Sequence, residues 1–450
     1  MSETPSTRAA LEHRVRAAIR VIAEEPAVAI SGFVPAPVPR RWPRLLAPVA
    51  VAVAVIAAVV LAPVLRGGDG ATGPAAADAA PVLPQEFGAM SLLTASLSEA
   101  PLGRPGIAVL RQRVIGSFFG LAQAVVVGSD GRTYRRIDLA EERGATEADG
   151  EWSPAEALLS PDGRRVAIGD RRGGATEIPV LDLVTGQRRD YPLPAPTAYD
   201  LQAWSPDGRR LALALEDTAE RVADRFQGTD GYPLALLDLD TGTLTTVPDV
   251  VFDPLDSVRF STEGRLGVPT VQDRGSSAPT TWLTVVEPTG AVTATMRIPE
   301  NSIFGGWTPA GDPMLFSGTG EAVGVQVVRL ADGTDVQPPV PVPGERAWLL
   351  GWRSPTVLLA RIEDLGVVSV DLASGSVDVL STFDTGLLTH STGASFAERL
   401  VTVAAVEPVS PARGPWPGWA ITTLAVLALA VGALAVRRVA RLRAKDTARA

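Results

Sequence analysis

The string S-P-D-G-R-R occurs twice in this 450-residue chain, at 160–165 and 205–210, and each copy is followed by L-D-L-x-T-G, at 181–186 and 237–242. Two turn motifs that recur in the same order severely restrict the fold. Each repeat must be one small unit that buries its apolar face only against its neighbours. The second turn can be followed by its glycine at Gly131, Gly186, Gly242, Gly290, Gly333 and Gly375. The first recurs at Gly163, Gly208, Gly264 and Gly311, with a worn copy at Ser354-Pro355.

The letters have physical reasons. Proline fixes φ at the second turn position, Asp hydrogen-bonds local backbone, and Gly accepts the positive φ that a tight hairpin needs. Short apolar runs flank the turns, such as 166–168, 178–183, 211–215 and 234–239, and these read as strands. Leu159, Trp204, Phe260, Trp307 and Trp352 stand just before the first turn. They are expected at the ends of inner strands, packed between sheets. The two arginines after each turn are expected to begin the next strand.

Two hairpins per unit make a four-stranded antiparallel sheet, and a period of about 40–50 residues is that of propeller blades. Six second turns predict an all-β, six-bladed β-propeller over residues 88–407. Residues 395–406 look like a sixth, weathered first turn plus strand, and these C-terminal strands would complete the blade holding the 124–139 hairpin. If 107–114 is instead that blade's own inner strand, a seven-bladed ring results.

The motif [W/F]-S-P-D-G-R-R-L-A with the following L-D-L-x-T-G resembles the TolB-type, WD40-like β-propeller repeat family, over about residues 90–407. Two copies carry the motif well and the others are degenerate. No G-H or W-D pair of a true WD40 repeat is present. The resemblance implies the fold and leaves the ligand open.

Outside the repeats, residues 45–65 and 418–436 are uncharged runs of 21 and 19 residues, long enough to cross a bilayer as helices. Seven arginines precede the first run and six basic residues follow the second, including the single lysine, Lys445. Between the runs, 28 basic residues face 45 acidic ones. The positive-inside rule puts both termini in the cytoplasm and the repeat region outside. This predicts a two-pass plasma-membrane protein. Its parts are a cytoplasmic segment (1–44), a first span (45–65), a flexible linker (66–87), the propeller, a second linker (408–417), a second span (418–436) and a basic tail (437–450). Residues 7–25 are expected to form an amphipathic helix with Leu11, Val15, Ala18, Ile19 and Ile22 on one face. The near-absence of lysine beside abundant Ala and Val points to a GC-rich bacterial genome.

The chemistry-bearing residues are few. There is no cysteine, and the two histidines, His13 and His390, are not accompanied by a nucleophile elbow. Cysteine nucleophiles and Cys/His zinc sites are thereby excluded, and no phosphate-binding glycine loop is found. Asp238 and Asp240 superficially suggest a calcium loop, but a full ligand series is missing and a hairpin turn is expected. Insertions at 216–231 and 272–281, and an acidic loop at 141–151, are solvated loops able to contact a partner. A strongly acidic exterior excludes nucleic acid as a ligand.

No catalytic, cofactor-binding or metal-ligating residue is singled out. The expected role is non-catalytic recognition, sensing or scaffolding at the bacterial cell envelope, with a protein or peptide partner at the propeller face. One alternative is anti-sigma-like control of a cytoplasmic partner through residues 7–25. The other is an envelope hydrolase or lyase using carboxylates and arginines in the ring's channel. Acids and arginines converging on an apolar pocket would favour the enzyme, and scattered polar groups the binder.

Overall fold

The computed structural model describes residues 79–89, 91–114, 122–144, 153–216, 231–253, 257–272, 280–318, 322–363, 365–384 and 389–415, with isolated helical positions between 422 and 441. The chain divides into two compact units, 55–431 and the pair 1–54 with 432–450. The second of these lies almost entirely outside the described residues. So do the amphipathic helix at 7–25, the first span and nearly all of the second. Among the described residues, no helix is long and apolar enough to cross a membrane.

Unit 55–431 is a β-propeller. From residue 157 to 383 its antiparallel sheets follow one another along the chain, each beginning at its inner strand. A seven-stranded sheet runs from Ala157–Leu159 to Leu244–Phe252. Within it the 17-residue strand Arg188–Trp204 is the outer strand of one half and, past a bend, the inner strand of the next. Four-stranded sheets follow, one beginning at Arg259–Phe260 and one at Ser302–Trp307. The last of the series begins at Ala347–Trp352 and carries Glu86–Phe87 as an added parallel edge.

The ring closes on strand Thr389–Phe396, which is innermost in a sheet with Gly106–Val114, Ala122–Gly128 and Tyr134–Arg136. This corrects the expectation at 395–406. Only Ser395 and Phe396 belong to the closing strand. Glu398–Val401 is a short helix, and Ala405–Glu407 pairs in parallel with Val82–Pro84. Gly106–Val114 is the second strand of the closing sheet and not its inner one. Thr389–Phe396 lacks the turn motif altogether, so the repeat pattern alone could not locate it.

The core is a series of hydrophobic layers between neighbouring sheets. One joins Phe304, Trp307 and Leu315 to Leu283 and Val285. Another joins Leu83, Phe87, Leu359 and Val367 to Ile107, Leu110 and Phe396 of the closing sheet. Burial at about 25 cal/mol per Å2 makes these layers the main stabilising term.

The turns form as their letters require. All six second-turn glycines, Gly131 to Gly375, have φ between 67° and 87°. In the first turn the constant group is the opening hydroxyl. Ser160 and Ser205 are fully buried, and each accepts the amide of the second arginine, Arg165 at 2.9 Å and Arg210 at 2.8 Å. Ser261 and Thr308 repeat the bond to Arg265 and Asp312. The arginines have a further use that the turn pattern did not suggest. Arg165 donates to the carbonyl of Gly208 in the next repeat at 2.6 Å, while its guanidinium lies 5.4 Å from the Trp204 ring centre. Arg265 reaches Trp307 in the same way.

Candidate functional site

Strand alternation directs every second residue of the inner strands toward the ring's axis. Inner-strand residues, with Arg111 and Arg361 of second strands and residues flanking the strands, line a cavity of about 320 Å3. Its charged groups are Arg111, Arg259, Arg346 and Arg361 with Glu156, Glu363 and Glu398. Trp204, Phe260, Trp348, Leu349 and Phe396 supply apolar wall.

The sheet beginning at Ala347 sets much of the geometry. Trp348 stands opposite Arg361 in the strand register, and Glu363 two residues on shares the face of Arg361. The Arg361 guanidinium therefore lies 4.6 Å from the Trp348 ring centre and 5.8 Å from that of Phe383. Arg361 is only 8% exposed and its Nε has no hydrogen-bond partner. Burial lowers its pKa to about 10, Glu363 opposing the shift and the Arg111 charge adding to it. Opposite, in the closing sheet, Gly393 faces Arg111, and a Cβ there would stand 2.4 Å from the guanidinium. Glycine at this position makes room for that side chain.

The carboxylates are matched to arginines from other strands or elements. Arg111 and Glu156 are 4.0 Å apart, Arg346 and Glu363 4.0 Å, and Arg259 and Glu398 3.9 Å. Burial raises the Glu398 carboxyl above its usual range, with Arg259 acting against the shift. The Glu398 side chain lines the cavity and is 47% exposed. Ser395 is engaged structurally, its hydroxyl accepting the amide of Leu159 at 2.9 Å.

Sequence reasoning passed over every one of these charged residues. Arg361 had a visible signal, a lone arginine inside the apolar strand V-L-L-A-R-I. His390 lies on the closing strand, paired in register with Arg113. Asp238 holds a hairpin, its carboxylate accepting the amides of Asp240 and Thr241 at 3.0 and 2.8 Å. The middles of the 216–231, 272–281 and 141–151 loops lie outside the described residues. By strand alternation the first two loops leave from the face opposite the repeated turns.

No family model matches the chain. It is 28% identical over 191 residues to Tricorn protease homolog 1 of Streptomyces coelicolor, a match covering 41% of this chain and 17% of that relative's length. Among solved structures, TolB from Acinetobacter baumannii aligns with 14% identity and a TM-score of 0.43, over 65% of this chain and 66% of that one. An acylaminoacyl peptidase complexed with a chloromethyl ketone aligns with 14% identity and a TM-score of 0.33, over 50% of this chain and 39% of that one.

Proposed function

We propose that the chain is a two-pass membrane protein of the bacterial cell envelope, whose extracytoplasmic propeller is a non-catalytic recognition, sensing or scaffold module. The ring is read as six-bladed, counting Arg188–Trp204 in both halves of the seven-stranded sheet. The observation that carries the reading is the axial cavity. Its carboxylates stand in ion-pair geometry with arginines, an arrangement that balances charge and shapes a binding surface. The anchors are supported by the apolar runs at 45–65 and 418–436 and by the basic flanks. The pairing of Val82–Pro84 with Ala405–Glu407 brings the two flanks of the ring together, as two anchors in one membrane require.

The test is topological. A reporter active only outside the cytoplasm should be silent when fused after Ala450 and active when inserted within 217–230. The reverse pattern removes the reading.

The convergence of three glutamates and four arginines on a partly aromatic cavity favours, as a second reading, an envelope hydrolase or lyase. That reading requires turnover of a glycan or peptide that Glu156→Gln or Glu398→Gln abolishes without loss of binding. Binding by the native chain with no turnover returns the first reading.

A further inference from the structure

Two cavity arginines, Arg259 and Arg361, have a buried Nε with no hydrogen-bond partner; Arg259 stands 3.9 Å from Glu398, whereas Arg361 is 8% exposed and lies among aromatic rings. The Arg361 guanidinium is held by aromatic faces, which stabilise a cation without accepting its N–H groups. A buried guanidinium Nε with no acceptor costs free energy that an anion would recover. Arg111 lines the same cavity, its charge acts to lower the Arg361 pKa, and the glycine facing it leaves its guanidinium room. Glu156, 4.0 Å from Arg111, offsets part of the like-charge cost, and an anion shared by the two arginines would offset more of it.

The lining itself selects the size of that anion's charge. Four arginines stand against three glutamates, a surplus of one positive charge. A monoanion closes the balance. A doubly charged phosphate exceeds it and meets the glutamates with repulsion. The planar fork of a guanidinium also suits the two coplanar oxygens of a carboxylate. Trp348 and Leu349 then offer apolar surface to the remainder of such a ligand.

We propose that the axial cavity binds an organic monocarboxylate, gripped by Arg361 with Arg111 beside it and with its apolar body against Trp348 and Leu349. The proposal rests on the recognition reading of the same cavity and names the class of ligand. A free organic acid and the carboxyl terminus of a peptide share this chemistry.

Titration of the full-length chain in detergent by calorimetry distinguishes them. The probes are benzoate, Ala-Ala-Phe with a free carboxyl end, the same tripeptide amidated, and inorganic phosphate. Heat from benzoate alone supports a free acid. Heat from the free-ended peptide and not from its amide supports a chain terminus. Arg361→Met should weaken the responding probe by about tenfold or more, as loss of one partner of a charge-assisted pair does. The exposed control Arg209→Gln should leave affinity unchanged. If Arg361→Met fails to fold, Arg111→Gln decides, with an expected loss of the same sense. No heat from any carboxylate, phosphate binding as tightly as benzoate, or equal affinity in native and channel-arginine variants overturns the proposal. The calorimetry is blind to which side of the membrane the ring occupies, so it and the reporter experiment can fail separately.

Discussion

The indole Nε1 of Trp352 donates a 2.9 Å hydrogen bond to the main-chain oxygen of Trp307, the residue in the same place one repeat earlier. Trp307 in turn reaches the oxygen of Arg259 at 3.0 Å, and Trp204 that of Leu158 at 2.9 Å. The tryptophan before the turn thus joins neighbouring repeats, by its ring and by its N–H. Phenylalanine at position 352 keeps most of the packing and leaves the Trp307 carbonyl without its donor. Trp352→Phe should lower stability by about 1–2 kcal/mol, and Trp352→Ala by about 3–5 kcal/mol. Urea unfolding of the two variants measures the difference; equal losses would show that the N–H contributes nothing.

Gly163 and Gly375 both have left-handed backbone, φ 70° and 73°, but different surroundings. A Cβ on Gly375 meets nothing within 4 Å, whereas one on Gly163 would stand 2.1 Å from the oxygen of Gly106. The same Gly163 accepts the Gly106 amide at 2.7 Å, beside the closing sheet. Gly375→Ala should cost about 1–2 kcal/mol, the backbone term alone. Gly163→Ala should cost clearly more. Thermal melting of both variants decides, and a Gly163→Ala protein no less stable than Gly375→Ala contradicts the clash.

The buried hydroxyls of Ser160 and Ser205 make the same prediction twice. Alanine at either position leaves the following arginine amide without an acceptor, at a cost of about 1–3 kcal/mol. Threonine retains the acceptor and should recover part of the loss. Matching denaturation midpoints for the native chain and Ser205→Ala would remove the hydroxyl from the account of the turn.

Acid should unfold the ring through its turns. The amide of Thr241 and its hydroxyl hold the Asp238 carboxyl below the usual range. The hydroxyl and amide of Thr334 do so for Asp332, and the amide of Ala373 with the Ser374 hydroxyl for Asp371. A carboxyl lowered in the fold contributes stability that is fully present above its unfolded pKa of about 3.9 and disappears as pH falls through the folded value. Urea midpoints should therefore be level from pH 7 to about 5 and decline below about 4. Asp371→Asn, which cannot titrate, should flatten that decline slightly. An identical slope in the variant would exclude Asp371 from the effect.

How much of this was legible in the sequence depends on what each residue depends on. The turns were, because a left-handed glycine and a backbone-bonding Asp act within four or five residues. Leu159, Trp204, Trp307 and Trp352 were placed between sheets for the same local reason. The closing strand was misplaced because Thr389–Phe396 is specified by its partner, Gly106–Val114, far back in the chain. The cavity residues were missed for a related cause. Arg111, Glu156, Arg361 and Glu398 come from separate strands and a short helix, and no window of sequence holds more than two of them. The opening hydroxyl of Ser160, Ser205, Ser261 and Thr308 was visible in the sequence, yet its role as an acceptor emerges only when the amide of Arg165, Arg210, Arg265 or Asp312 is seen opposite it.

The late arrival of Thr389–Phe396 has a consequence for synthesis. Gly106–Val114 emerges from the ribosome with its inner edge unpaired, and all the intervening sheets are made before its partner exists. An open strand edge invites pairing with other chains. The nascent ring is therefore an arc that must be shielded until its last strand is translated, and chains truncated before Thr389 should aggregate while those ending after Glu407 do not.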